Sequence, residues 1–148
     1  MLERLPEIVG YLEKHNACEQ HIKNTIIPIL IQFLNFNHLD IKEEAGQQLG
    51  RIAHKLNDMD RGDYVLKHVI EMAHDDSNED NRIVAVQLFS SMSECFGSQL
   101  CEQFIGLEIL SLGDDTSVKV RKEAIKHLPA ISKMVSKAFF ARFSSFYA

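Results

Sequence analysis

Apolar residues recur along this chain at helical steps, and the steps themselves repeat. Ala45, Leu49, Ile52 and Leu56 stand at i, i+4, i+7 and i+11, which is one stripe of an α-helix. The same spacing returns as Ala85, Phe89, Met92 and Phe96, then as Ala124, Leu128, Ile131 and Val135. A fourth copy stands at the start, as Met1, Leu5, Ile8 and Leu12, and the offsets along the chain are 44, 40 and 39 residues. Each full copy begins with a small Ala, where a neighbouring helix can approach closely. A shorter stripe precedes each one: Ile27, Ile31 and Leu34, then Leu66, Ile70 and Ala73, then Ile105, Ile109 and Leu112, with both offsets 39. Phe139, Phe143 and Phe146 begin a further copy.

Between the two stripes of each pair lie "NFNHLD", "DDSNED" and "GDDTS", rich in the Asn, Asp, Ser and Gly that make turns and cap helices. "NDMDRGD" and "FGSQ" read as separators between one pair and the next. No stretch alternates apolar and polar over strand length, so the predicted fold is all-α. A period near 40 is that of an α-solenoid of antiparallel helix pairs, HEAT or armadillo-like. The expected divisions are a second helix over 1–14, repeats over 21–57, 62–97 and 98–136, and a first helix over 137–148. Pro28 falls in a first helix, and Pro6 and Pro129 in equivalent places of second helices, where they would bend the axis; the alternative is that each marks a helix start.

Charge and composition narrow the function. A chain that is 45% hydrophobic and 25% charged is globular in composition. Its net charge of −5 argues against a phosphate-binding surface, so no nucleic-acid partner is expected. Three cysteines without a CxxC pair suggest a reducing compartment, cytoplasmic with access to the nucleus. No signal peptide is legible, and "TIIPILIQFLNF" is too short for a membrane span.

Candidate chemistry is sparse. "HNACEQH" places His15, Cys18 and His21 at three-residue steps, but zinc needs a further ligand and none stands near, so the segment reads as a polar connector. His54, His68, His74 and His127 share no spacing, and a Lys before His68 and His127 suits an exposed face. "DDSNED" lacks the Gly and Glu of an EF-hand and reads as a carboxylate-rich helix N-terminus. "RGD" at Arg61–Asp63 reads as turn chemistry. There is no GxSxG elbow and no glycine-rich phosphate loop, so neither catalysis nor a cofactor is expected. A basic cleft or repeated His-Glu pairs would mark the helical-repeat enzymes, and neither is present.

"IIPILIQFL" (Ile26–Leu34) resembles the first helix of a HEAT repeat, and "VRKEAIKHLPAI" (Val120–Ile131) resembles the second. The family's Asp and Arg, six residues apart, are matched by Asp76 with Arg82 and by Asp115 with Arg121. In the family these pair across neighbouring repeats as a ladder. The first repeat departs from the pattern, with Phe36 and Lys42 at those places. "HDDSNEDNRIVAVQLFSSMSECFG" is similar to segments of the HEAT-repeat regulatory and scaffold subunits of type-2A-like protein phosphatases, those of phosphatases 2A and 4. The resemblance implies a non-catalytic scaffold whose second helices line a concave face and whose intra-repeat turns form a ridge. It implies a type-2A-class catalytic subunit as the protein partner, met through that ridge. The exposed residues expected to make the contact are His38, Asp40 and Lys42, with Asn78, Asp80 and Arg82, and with Ser117 and Lys119; Arg82 could instead serve the ladder. The other reading is a HEAT segment of a nuclear transport or chromosome-organising scaffold. Without polar capping helices at its ends, the chain is expected to be part of a longer array and to self-associate end to end.

Overall fold

The computed structural model describes the backbone of residues 2–15 and 19–147, and side chains within 3–15 and 19–142. Among these residues every regular element is helical and none is a strand. After a short 3₁₀ turn (Leu2–Arg4) come α1 (Leu5–Lys14), α2 (19–34), α3 (Leu39–Ala53), α4 (58–73), α5 (79–96), α6 (98–113), α7 (Val118–Ser132) and α8 (Lys137–Tyr147). α5 and α6 are nearly continuous. They part at Gly97, whose φ of 71° and ψ of 173° belong to a region that essentially only glycine enters.

Two of the helices begin where an Asn side chain takes up free amides of the first turn. Asn57 accepts from the Asp60 amide ahead of α4, and Asn78 accepts from the amides of Asp80 and Asn81 ahead of α5. Ahead of α7 no side chain caps the helix; Asp115 Oδ1 accepts from the amide of Ser117, the residue before it, at 2.8 Å. The segment "NDMDRGD", expected as a separator, is therefore the cap and first turns of α4, and "RGD" is helical rather than a turn.

α2, α4 and α6 share a feature that the stripes do not encode. Each passes through a wide π turn, at Ile22–Ile26, Arg61–Leu66 and Cys101–Ile105, closed by i→i−5 bonds from Ile27, Lys67 and Gly106. Pro28 follows the first of these directly, where the wider turn accommodates its missing amide hydrogen. Pro6 sits in the first turn of α1, where the amide would be free in any case, so it marks a start and not a bend. Pro129 does lie inside its helix, α7.

α1 packs on α3, α3 on α5 and α5 on α7, and each of α2, α4 and α6 packs on the helix that follows it. α3 and α5 meet closely because α3 presents glycines: a Cβ at Gly46 would lie 3.0 Å from Val84, and one at Gly50 would lie 2.5 Å from Ser91 Oγ. The stripes of α3 and α5 are buried as expected, apart from the half-buried Phe96. In α1 the buried residues are Leu5 and Val9, and Ile8 is exposed. In α4 the buried stripe is Val65, Val69 and Met72, one residue ahead of the expected Leu66 and Ile70. The two stripes are equally apolar, and the neighbouring helix covers the first. The structural offset from α4 to α6 is accordingly 40 and not 39, with Val65, Val69 and Met72 matching Ile105, Ile109 and Leu112.

Candidate functional site

The turns before α3, α5 and α7, where sequence places the binding residues, are held mostly by their own side chains. His38 and Asp40 are exposed. Lys42 is 2% exposed, which overturns its placement on an accessible surface. Its Nζ donates to the carbonyl of Leu34 at the end of α2 (2.6 Å) and to Asn81 Oδ1 on α5 (2.5 Å). Burial pushes the ammonium below its ordinary pKa, against the pull of Asp80 and Asp75. Lys42 thus takes the place of a ladder arginine and meets an amide instead of Asp76.

Arg82 is likewise not available to a partner, being 6% exposed. Its Nε and Nη2 reach Asp115 Oδ2 and Oδ1 at 2.8 and 3.0 Å, and Nη1 donates to the Asp75 carbonyl at 2.8 Å. The hydrogen bonds to Asp115 raise its pKa further. The pair joins α5 to the turn before α7. The Asn78 side chain is used in capping. Ser117 Oγ and Lys119 Nζ both reach across to Glu79, at 2.8 and 2.6 Å, and hold its carboxyl below the ordinary range, Lys119 most strongly. Asp80 is half-buried. His38 and Asp40 are thus left exposed, Lys42, Arg82, Ser117 and Lys119 bond to residues outside their own helix, and Asn78 caps its own.

Similar stitching runs along the starts of the first helices. Glu19 accepts from the amide and side chain of Asn57, and Lys23 pairs with Asp60 at 2.8 Å. Arg61, 7% exposed, donates to the carbonyls of Ala53, Leu56 and Cys95, and so satisfies the end of α3 and the end of α5 together. The equivalent Cys101 reaches the Ser93 carbonyl at 3.0 Å, and burial lifts its thiol pKa to about 11. That thiol is poorly suited to nucleophilic chemistry.

A second surface crosses the second helices. One hollow of about 620 Å³ lies among Glu13, Gly50, Arg51, His54 and Lys55. Another, of about 350 Å³, lies among Glu43, Gln87, Glu123, Lys126 and His127. Gln47 and Ser91 line both, so the two form one groove over α1, α3, α5 and α7. At one end Gln87 Nε2 donates to Glu43 Oε1 (2.8 Å) and Glu123 Oε1 (3.0 Å), tying α3, α5 and α7. His127 Nε2 lies 3.0 Å from Glu123 Oε1. Burial pushes the Glu123 carboxyl up, but the bonds from Gln87 and His127 offset it and hold the group below the ordinary range. At the other end Arg51 grips Glu13 with Nη2 (2.7 Å) and Nε (3.3 Å).

No protein-family model matches the sequence, and neither does any curated protein.

The groove residues were missed in the sequence because their polar side chains fall between the apolar stripes and read as ordinary solvated positions. His68 and His127 are half-buried rather than exposed. Cys18 of the "HNACEQH" motif lies outside the described residues, as do the side chains of Phe143 and Phe146. Phe139 is buried against Gly106, and Phe140 is exposed. Among the described residues no group of three metal-ligating side chains forms, and no helix is long and apolar enough to cross a membrane.

Proposed function

We propose that this chain is a HEAT-type solenoid segment that acts without chemistry of its own, as a scaffold or regulatory subunit holding protein partners. The observation that carries the reading is the structural repeat: three first helices with the same wide turn, and second helices stacked in chain order. The Arg82–Asp115 pair adds support, since it joins consecutive repeats as the family's ladder does. α3, α5 and α7 approach one another more closely than α2, α4 and α6 do, which supports a stack curved toward its second helices with the polar groove on the inner side. A partner held in such a curve is positioned by many repeats at once.

For the partner we propose a catalytic subunit of the type-2A phosphatase class, on the strength of the segments that resemble phosphatase subunits. The test is recovery of partners from cell lysate on the tagged full chain, read by mass spectrometry. Stoichiometric capture of a type-2A-class catalytic subunit is the expected result. A different stable partner would remove the phosphatase and leave the scaffold, and capture of nothing would overturn both.

A further inference from the structure

The groove over the second helices is polarised along its length. At one end stand Lys55, His54 and the Arg51–Glu13 pair, a net single positive charge with His54 neutral. Lys55 Nζ donates to the Glu13 backbone carbonyl, which leaves two of its hydrogens for a ligand, and His54 is exposed. At the other end Glu43 and Glu123 share the Gln87 amide through one oxygen each, and Lys126 pairs with Glu123 alone, which leaves a net single negative charge with His127 counted neutral. Between them lie the exposed amide of Gln47 and the hydroxyl of Ser91, which donates to its own helix and keeps its lone pairs free. Gly50 contributes no side chain, which keeps this middle section open.

We propose that this groove binds an extended peptide segment carrying an acidic and a basic residue. The acidic side chain sits against His54 and Lys55, the basic one against Glu43 and Glu123, and Gln47 with Ser91 takes the peptide backbone between them. Spacing follows from α3, where Glu43 and His54 are eleven residues apart. At 1.5 Å per residue that is roughly 16 Å, or about five residues of extended chain. A nucleic acid would meet the carboxylate end unfavourably, and a ligand of one sign would be repelled at one end or the other. The proposal rests on the protein-binding reading above but not on a phosphatase as the partner.

The test pans a displayed library of random peptides, about twelve residues long to exceed the groove, against the full chain. Enriched sequences should pair an acidic and a basic residue about four to six positions apart. His54→Glu with Lys55→Glu should replace the selected acidic residue by a basic one, and Glu43→Lys should replace the basic residue by an acidic one. By fluorescence anisotropy, the best wild-type peptide should lose about tenfold in affinity on either variant and weaken with added salt. If a charge-reversed variant loses helicity by circular dichroism, His54→Ala with Lys55→Ala and Glu43→Gln take its place, each expected to cost a similar factor. No enrichment, an apolar motif, or a motif unmoved by either reversal would overturn the proposal. Lysate partners retained by both variants would then leave the scaffold reading standing, which separates the two failures.

Discussion

Removing Asp115 should unfold this protein more readily than any surface change on the same ridge. The Asp115 side chain is 11% exposed and that of Arg82 is 7% exposed, so the pair is largely out of water. Asp115→Ala leaves the guanidinium buried with the Asp75 carbonyl as its remaining bond, and it removes the acceptor of the Ser117 amide in the turn before α7. Breaking a buried pair from one side costs about 3–5 kcal/mol, and losing the turn hydrogen bond adds about 1 kcal/mol. Arg82→Ala should cost a similar amount, because the carboxylate loses its partner. The double variant should be less damaging than the two singles together, with a coupling of about 2–3 kcal/mol, since neither charge is then left alone. Urea unfolding followed by circular dichroism reads all four proteins, and the same cycle in melting temperature should show each single lowered by roughly 6–20 °C. Burial raises the Asp115 pKa, but the Arg82 bonds, the Ser117 amide and the nearby arginines more than offset it, so the folded value lies below the unfolded one. Its contribution is therefore present above about pH 4 and fades as pH falls through the folded value. A coupling below about 0.5 kcal/mol, the range of an exposed pair, would refute the idea that this pair ties α5 to the turn before α7.

Gly97→Ala should destabilise by about 1–3 kcal/mol in urea, purely through the backbone, because open space surrounds the new Cβ. Gly106→Ala places a Cβ 2.5 Å from Phe139 Cζ and 2.9 Å from the Cys101 carbonyl. It should loosen α8 first, seen as faster amide exchange in residues 137–142 at little change elsewhere. His68 carries a buried Nε2 without a hydrogen-bond partner, and burial lowers its pKa, with Lys42 acting in the same direction and Glu71 opposing. Its folded value lies below the unfolded one, so stability should fall as pH drops below about 6.5, and His68→Phe should flatten that slope in urea midpoints measured from pH 7 to 5.

The helices were legible because their apolar stripes are long and regular, and α3 and α5 bury the residues that the spacing singles out, with Phe96 half-covered. The register of α4 was not. Val65–Val69–Met72 and Leu66–Ile70–Ala73 are both helical stripes, and periodicity alone does not say which of two adjacent apolar rows meets the neighbour. The wide turns were also invisible. Ile22–Ile26, Arg61–Leu66 and Cys101–Ile105 share only a β-branched apolar residue at Ile26, Val65 and Ile105, which marks no wide turn, and what recurs is the backbone path. Pro28 was read as a kink because a proline in a regular helix lacks one bond, but the preceding turn had already widened.

The turn residues are instructive in another way, since Lys42 and Arg82 are buried where exposure was expected. Turn residues were taken for partner contacts because they are polar and lie between helices, which is also what makes them useful for joining one repeat to the next. Lys42, Arg82, Ser117 and Lys119 each reach a residue or carbonyl of another helix, and their chemistry is consumed internally. The groove shows the converse. Gln47 has no place in any apolar stripe, and it is notable only because two hollows share it. The turn groups are spent on joining helices, and so are Gln87 and Arg51 in the groove, whereas Gln47, His54 and two hydrogens of Lys55 stay free to meet a ligand. Binding specificity is then sought at mid-helix positions such as Gln47 and His54, where substitution should alter recognition without disturbing the bonds between repeats.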